Sequence, residues 1–278
     1  MESNKFKKYP VNNVIKPNKL LGQHFLRDKN VLEKIIEAAS LTKDDSVLEV
    51  GPGLGVLTRE LAKHAGQVVA VEKDKALAEI LAKQLINEKI GNVKIIADDI
   101  LKINFSALFD SLDYKVVANI PYYLTSHLIR LLLENANPPS EIVLLIQKEV
   151  AKRICAKPPE MSLLAVSVQF YAQSKIIASV SRRSFQPAPK VDSAIIKITP
   201  HQNNSSQINS EIFFKIVHAG FSHPRKQLLG NLSGGLAIEK EKVSLALTKT
   251  GIKNSQRAET LTIDNWRELL INLDLKVF

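Results

Sequence analysis

One cysteine and one tryptophan occur in 278 residues. A single thiol, Cys155, excludes an intrachain disulfide, and no Cys/His cluster has zinc spacing, so no metal site is expected. A free thiol in a basic chain fits the reducing cytoplasm. Long apolar runs are also missing: none approaches the ~18 residues of a membrane helix, so no membrane partner is expected. The N-terminal stretch is basic without an apolar core behind it, which argues against a secretion signal. Acidic residues are the minority among charges, 28 against 38 basic, leaving a formal net charge of +10. That excess points to a polyanionic partner.

The charge is uneven. Lys5, Lys7, Lys8, Lys16, Lys19, Arg27 and Lys29 face only Glu2 and Asp28 within residues 1–29, which gives half of the net charge to about a tenth of the chain. Residues 1–27 therefore read as a basic arm, either a solvated tail or a segment that folds against nucleic acid.

Hydrophobic residues make up 45% of the chain, enough for a sizeable core. From Asp28, a helix-capping residue, the pattern becomes regular, with Val31, Leu32, Ile35, Ile36 and Ala39 on one face. Apolar segments "SVLEV", "QVVAVE", "VKIIAD", "KVVANI" and "EIVLLIQ" alternate with helical patterns. That order predicts an α/β fold, a parallel sheet wound on both faces. "KIIASVS" and "SAIIKI" lack a clear helix between them and read as an antiparallel pair closing the sheet. The polar stretch Thr199 to Ser210 reads as a linker. The expected organisation is a Rossmann-like domain over residues 1–200 and a small helical domain over 201–278.

"LEVGPGLG" puts Gly51, Gly53 and Gly55 on the turn from the first strand to the first helix, where a ligand passes close to the backbone. The dinucleotide fingerprint fails, because Val56 stands where its third glycine belongs. Glu72 ends the next strand and suits a pair of ribose hydroxyls. Asp98 and Asp99 end the third strand, and Asp99 is the favoured contact for an adenine edge. Adenosine without a pyrophosphate favours S-adenosylmethionine over NAD as cofactor.

"VVANIPYYLTSH", Val116 to His127, begins as a buried strand and stops on Asn119. A planar base amino group is a poor nucleophile, since its lone pair is delocalised into the ring. The Asn119 side-chain oxygen and the Pro121 carbonyl can accept its two N–H bonds and draw the nitrogen toward tetrahedral geometry. Tyr122 offers a stacking face. Positioning and electrostatics then carry the rate. The tyrosine ring, not its hydroxyl, is expected to matter, so Tyr122→Phe should keep most activity.

These blocks, with "LGQHFL" (Leu21 to Leu26), "QKEV" and "FQPAPKVDSAI" (Phe185 to Ile195), resemble the ribosomal RNA adenine dimethyltransferase family. "NIPY" is similar to the N/D-x/P-P-Y/F motif of amino-group methyltransferases. The resemblance implies a Rossmann-like class I S-adenosylmethionine-dependent fold. It implies that His24 and Leu26 line the cofactor site with Gly51, Glu72, Asp99 and Asn119, and that Phe185 is a second aromatic over the extruded base. His24 stands where an asparagine is common. "PKVDS" and "GFSHPRKQLLGNL" (Gly220 to Leu232) look like the branch that dimethylates two adjacent adenines in the 3′-terminal hairpin loop of small-subunit rRNA. His223-Pro224 precedes Arg225-Lys226 where that branch has an arginine pair. The implied partner is the immature 30S subunit, and the chain is read as a monomer. A 23S rRNA methyltransferase of the macrolide-resistance type and a mainly non-catalytic ribosome-assembly factor remain as alternatives.

Overall fold

Five largely apolar strands lie side by side; four of them are buried on both faces, which is why they read as nearly continuous hydrophobic runs, while the fifth, at the sheet edge, is only half-buried. In the computed structural model, which describes residues 22–109, 113–201 and 209–274, these are β2 (Ser46–Val50), β3 (Gln67–Glu72), β4 (Val93–Ala97), β5 (Lys115–Asn119) and β6 (Glu141–Gln147). A two-residue β1 (Phe25–Leu26) precedes them; β7 (Ala172–Val180), β8 (Phe185–Gln186) and β9 (Ser193–Pro200) follow. The main sheet runs β4-β3-β2-β5-β6-β9-β7, with β2 to β6 parallel and β9 antiparallel to both β6 and β7. The expected antiparallel pair thus closes the sheet.

Helices cover both faces. On one, α1 (Lys29–Ala39) and α2 (Val56–His64) pack Ile35 and Leu61 against Val47, Val117 and Val143. On the other, α4 (Thr125–Leu133) and α5 (Lys148–Ile154) pack Leu128 and Ile154 against Leu48, Val116 and Leu144. Val116 and Val117 go to opposite cores, as the period of a strand requires. Between β3 and β4, α3 (Lys75–Asn87) carries Asp74 as N-cap, just as Asp28 caps α1.

The C-terminal part consists of α7 (Ser210–Phe221), α8 (Leu228–Leu236), α9 (Lys240–Lys249) and α10 (Ile263–Leu273). Its core gathers Phe213, Leu232, Leu247 and Trp266, and it also takes in Val166 and Phe170 of α6 (Leu163–Tyr171). One buried core therefore joins the helical tail to a helix of the sheet-bearing part.

Two features depart from the sequence reading. Thr199 and Pro200, expected in the linker, extend β9, because Gln173 and Ala172 of β7 pair with them; Ser210 already opens α7. Residues 202–208 of that linker, and residues 1–21 of the basic arm, lie outside the described residues. The second departure is a separate two-stranded ribbon. Phe25 pairs with Gln186 and Leu26 with Phe185 in antiparallel register. The Arg27 N–H adds a bond to the Ser184 carbonyl at 2.9 Å, and the Ser184 hydroxyl donates to Asp28 at 2.8 Å. This ribbon brings the "LGQHFL" and "FQPAPKVDSAI" blocks together.

Candidate active site

The carboxyl ends of β2, β3, β4 and β5 open into one cleft, the usual ligand position in an open parallel sheet. His24, Leu26, Gly51, Gly53, Glu72, Asp99, Asn119, Pro121, Tyr122 and Phe185 all line it. Gly55 lies outside this lining. It caps α2, and a Cβ there would sit 2.2 Å from Leu81 Cδ1 of α3, so close helix packing demands the glycine. Gly53 has φ +56°, and its N–H donates to Glu72 Oε2 at 3.0 Å.

Glu72 ends β3 almost fully buried. Its other oxygen accepts the Asp74 N–H at 3.0 Å, so two backbone amides fix the carboxylate at the cleft. Burial pushes its pKa up. Asp99 accepts the Leu101 N–H at 3.1 Å and pairs with Lys73 at 2.8 Å. The Lys73 hydrogen bond holds the Asp99 pKa below its ordinary value. Asp98 is exposed and accepts the Asp99 N–H.

Glu49 was not legible as a site residue, since "SVLEV" reads as plain core. It is 1% exposed, faces the same cleft, and its Oε2 has no hydrogen-bond partner. Burial pushes its pKa up to about 8. An orphaned buried carboxyl oxygen beside a glycine turn suits a cation, and the amino-acid ammonium of S-adenosylmethionine is one. With the buried Glu72 carboxylate lining the same cleft, the residues present fit that cofactor.

The other half of the cleft is built around the end of β5. Asn119 ends β5, and its side-chain Nδ2 donates to the His24 carbonyl at 3.2 Å. A carbonyl can only accept, so this contact fixes which way the amide lies and leaves Oδ1 as a hydrogen-bond acceptor. Pro121, with φ −56°, starts a tight turn in which its carbonyl accepts the Leu124 N–H at 3.0 Å, leaving one lone pair. Gly51 packs beside the proline: a Cβ on it would lie 3.7 Å from Pro121 Cδ.

The Tyr122 ring stacks against the His24 ring, centroids 5.9 Å apart and planes at 28°. His24 Nδ1 in turn donates to the Pro187 carbonyl at 2.8 Å, next to Phe185, which is 3% exposed. His24 therefore braces Asn119 by its backbone and Tyr122 by its ring, a dual role that a lone histidine does not announce in sequence. From sequence the Tyr122 hydroxyl has no task. In the structure it lies 2.8 Å from Ser193 Oγ, so the expectation for Tyr122→Phe changes.

A sheet of this order, with carboxylates at the ends of β2 and β3 and an amide at the end of β5, defines a class I methyltransferase. Solved structures agree. A dimethyladenosine transferase from Plasmodium falciparum superposes with TM-score 0.76 at 27% identity, covering 89% of this chain and 96% of that one. The 23S rRNA methyltransferase ErmE superposes with TM-score 0.73 at 28% identity, covering 90% and 100%. The family model described as "Ribosomal RNA adenine dimethylase" matches residues 14–274, and the chain belongs to that family. A "Ribosomal RNA small subunit methyltransferase A" from Dehalococcoides mccartyi is 44% identical over 259 residues, 92% of this chain and 88% of the relative. One of the same name from Clostridium botulinum is 43% identical over 256 residues, 91% and 92%.

Proposed function

We propose that this enzyme dimethylates the N6 amino groups of two adjacent adenines in the 3′-terminal hairpin loop of small-subunit rRNA. The observation that carries the chemistry is the Asn119 amide, oriented by the His24 carbonyl so that Oδ1 accepts. The small-subunit target rests on the names of the relatives more than 40% identical over nine-tenths of the chain.

S-adenosylmethionine, when bound, supplies a sulfonium-activated methyl group. Glu72 holds the ribose hydroxyls, Glu49 receives the ammonium, and Asp99 with its neighbouring backbone reads the adenine edge. Asn119 Oδ1 and the Pro121 carbonyl accept the two N–H bonds of the target amine. That pair withdraws the nitrogen lone pair from the ring and aims it at the methyl group. Tyr122 and Phe185 stack the extruded base, offsetting the few kcal/mol of unstacking. The transferred methyl would bring the sulfonium's positive charge to N6, and an adenine nitrogen carrying that charge is strongly acidic, so it releases its proton to solvent and no residue need act as a strong base.

The helical segment after residue 209 serves rRNA recognition in this reading. Arg225 and Lys226 are exposed on a turn after α7, and buried Asn231 cinches that turn by donating to the Gly220 and His223 carbonyls at 2.7 and 3.0 Å. The substrate is the immature 30S subunit, met by a monomer in the cytoplasm. Among the described residues no helix is long and apolar enough to cross a membrane. Methyl incorporation into small subunits from a strain lacking the modification tests the proposal: two dimethyladenosines per subunit support it, and incorporation only into large-subunit RNA refutes it.

A further inference from the structure

Tyr122 sits in a short turn outside the sheet, yet its hydroxyl reaches the sheet itself, 2.8 Å from Ser193 Oγ. Ser193 opens β9 and is 0% exposed. It is registered on both sides, against Gln147 of β6 and Val180 of β7. Its backbone cannot shift without disturbing two strand ladders, so its hydroxyl is a fixed point. The tyrosine ring, on two rotatable bonds, has no such constraint of its own. His24 stacks against the ring.

We propose that Ser193 is a positioning residue for methyl transfer, which holds the Tyr122 ring in the plane where the target base stacks. The inference rests on the reading that Tyr122 carries the base. Ser193 does not line the cleft. Its influence therefore passes through the orientation of one ring. A stacking platform of phenylalanine would supply the same apolar face, so the buried hydroxyl pair has an orienting task that stacking alone does not require. Misplacing a reacting group by about 1 Å can cost about a hundredfold in rate, whereas losing one neutral hydrogen bond costs about tenfold or less. The expected loss lies near the smaller figure, because His24 still supports the ring.

The experiment compares full-length Ser193→Ala, Tyr122→Phe and the double variant on immature small subunits with S-adenosylmethionine. Each single change should lower kcat about tenfold and leave KM for both substrates within about twofold. The double variant should be no slower than the slower single, because both changes break the same bond. Multiplying losses in the double variant would overturn the inference, as would parent kcat in Ser193→Ala. Thermal melts check folding. If Ser193→Ala fails to fold, Tyr122→Phe removes the same bond while keeping the ring, and parent kcat there is equally fatal. Tyr122→Ala separates this idea from the reading beneath it. An active Tyr122→Ala refutes base stacking on Tyr122; an inactive one beside an unimpaired Ser193→Ala refutes only the positioning role.

Discussion

The side-chain amide of Asn119 and the backbone carbonyl of His24 meet at 3.2 Å although 95 residues separate them. The bond uses the backbone of His24, not its ring, and this separates two substitutions. Asn119→Asp keeps an acceptor and loses the donor, setting a carboxylate against a carbonyl. Single-turnover methyl transfer should fall by about a hundredfold, comparable to removing one preorganised electrostatic contact. His24→Ala keeps the carbonyl and should cost about fivefold, the share of one stacked aromatic pair. Equal losses would contradict the division of roles.

Glu72 has both oxygens committed to backbone N–H groups of the glycine turn and of Asp74. Glu72→Ala removes the ribose acceptor and also loosens the turn. Calorimetric titration should show S-adenosylmethionine binding weakened by about 1.5–3 kcal/mol, the range for hydrogen bonds to a charged group. Unchanged affinity would refute the assignment.

Stability should depend on pH through Glu49. Its pKa is pushed up to about 8 by burial, so the folded protein binds a proton that the unfolded chain releases near 4.5. The stabilising contribution is complete below the unfolded value and is lost as pH rises through about 8. Denaturant melts of the cofactor-free enzyme should show stability falling across that window. Glu49→Gln should flatten the fall. A variant with the parent pH profile would show that Glu49 is not the group responsible.

Much of this was legible in the sequence. Strands β2 to β6 declare themselves because apolar residues dominate each run, most completely in β2, β3, β5 and β6, which are buried on both faces, and Asp28 and Asp74 mark helix starts by capping chemistry. What stayed hidden is long-range or local in packing. The β1–β8 ribbon has two residues per strand, too few for any periodicity, and joins Phe25 to Gln186 across the chain. Glu49 hides inside an apolar run. The contact between Gly55 and Leu81 of another helix is likewise invisible in the glycine pattern. The Tyr122–Ser193 bond depends on the register of β9, which no local pattern encodes.

The basic arm makes a salt-dependence prediction. Residues 1–19 hold five lysines. If they contact rRNA phosphates, deleting them should flatten the dependence of log affinity on log salt by about 0.7 for each lost single-strand contact. Filter binding over a salt series measures it. An identical slope in the truncated protein would leave the arm without a role in binding.

The central claim is that Asn119 activates an adenine amine on small-subunit rRNA. The most direct measurement is labelled methyl transfer to small subunits from a strain lacking the modification, with the RNA digested and its nucleosides separated. The parent should yield dimethyladenosine from two adjacent adenines. Asn119→Ala should yield none while binding the subunits with near-parent affinity, because phosphate contacts lie elsewhere. Dimethyladenosine formed by Asn119→Ala at the parent rate would contradict the account.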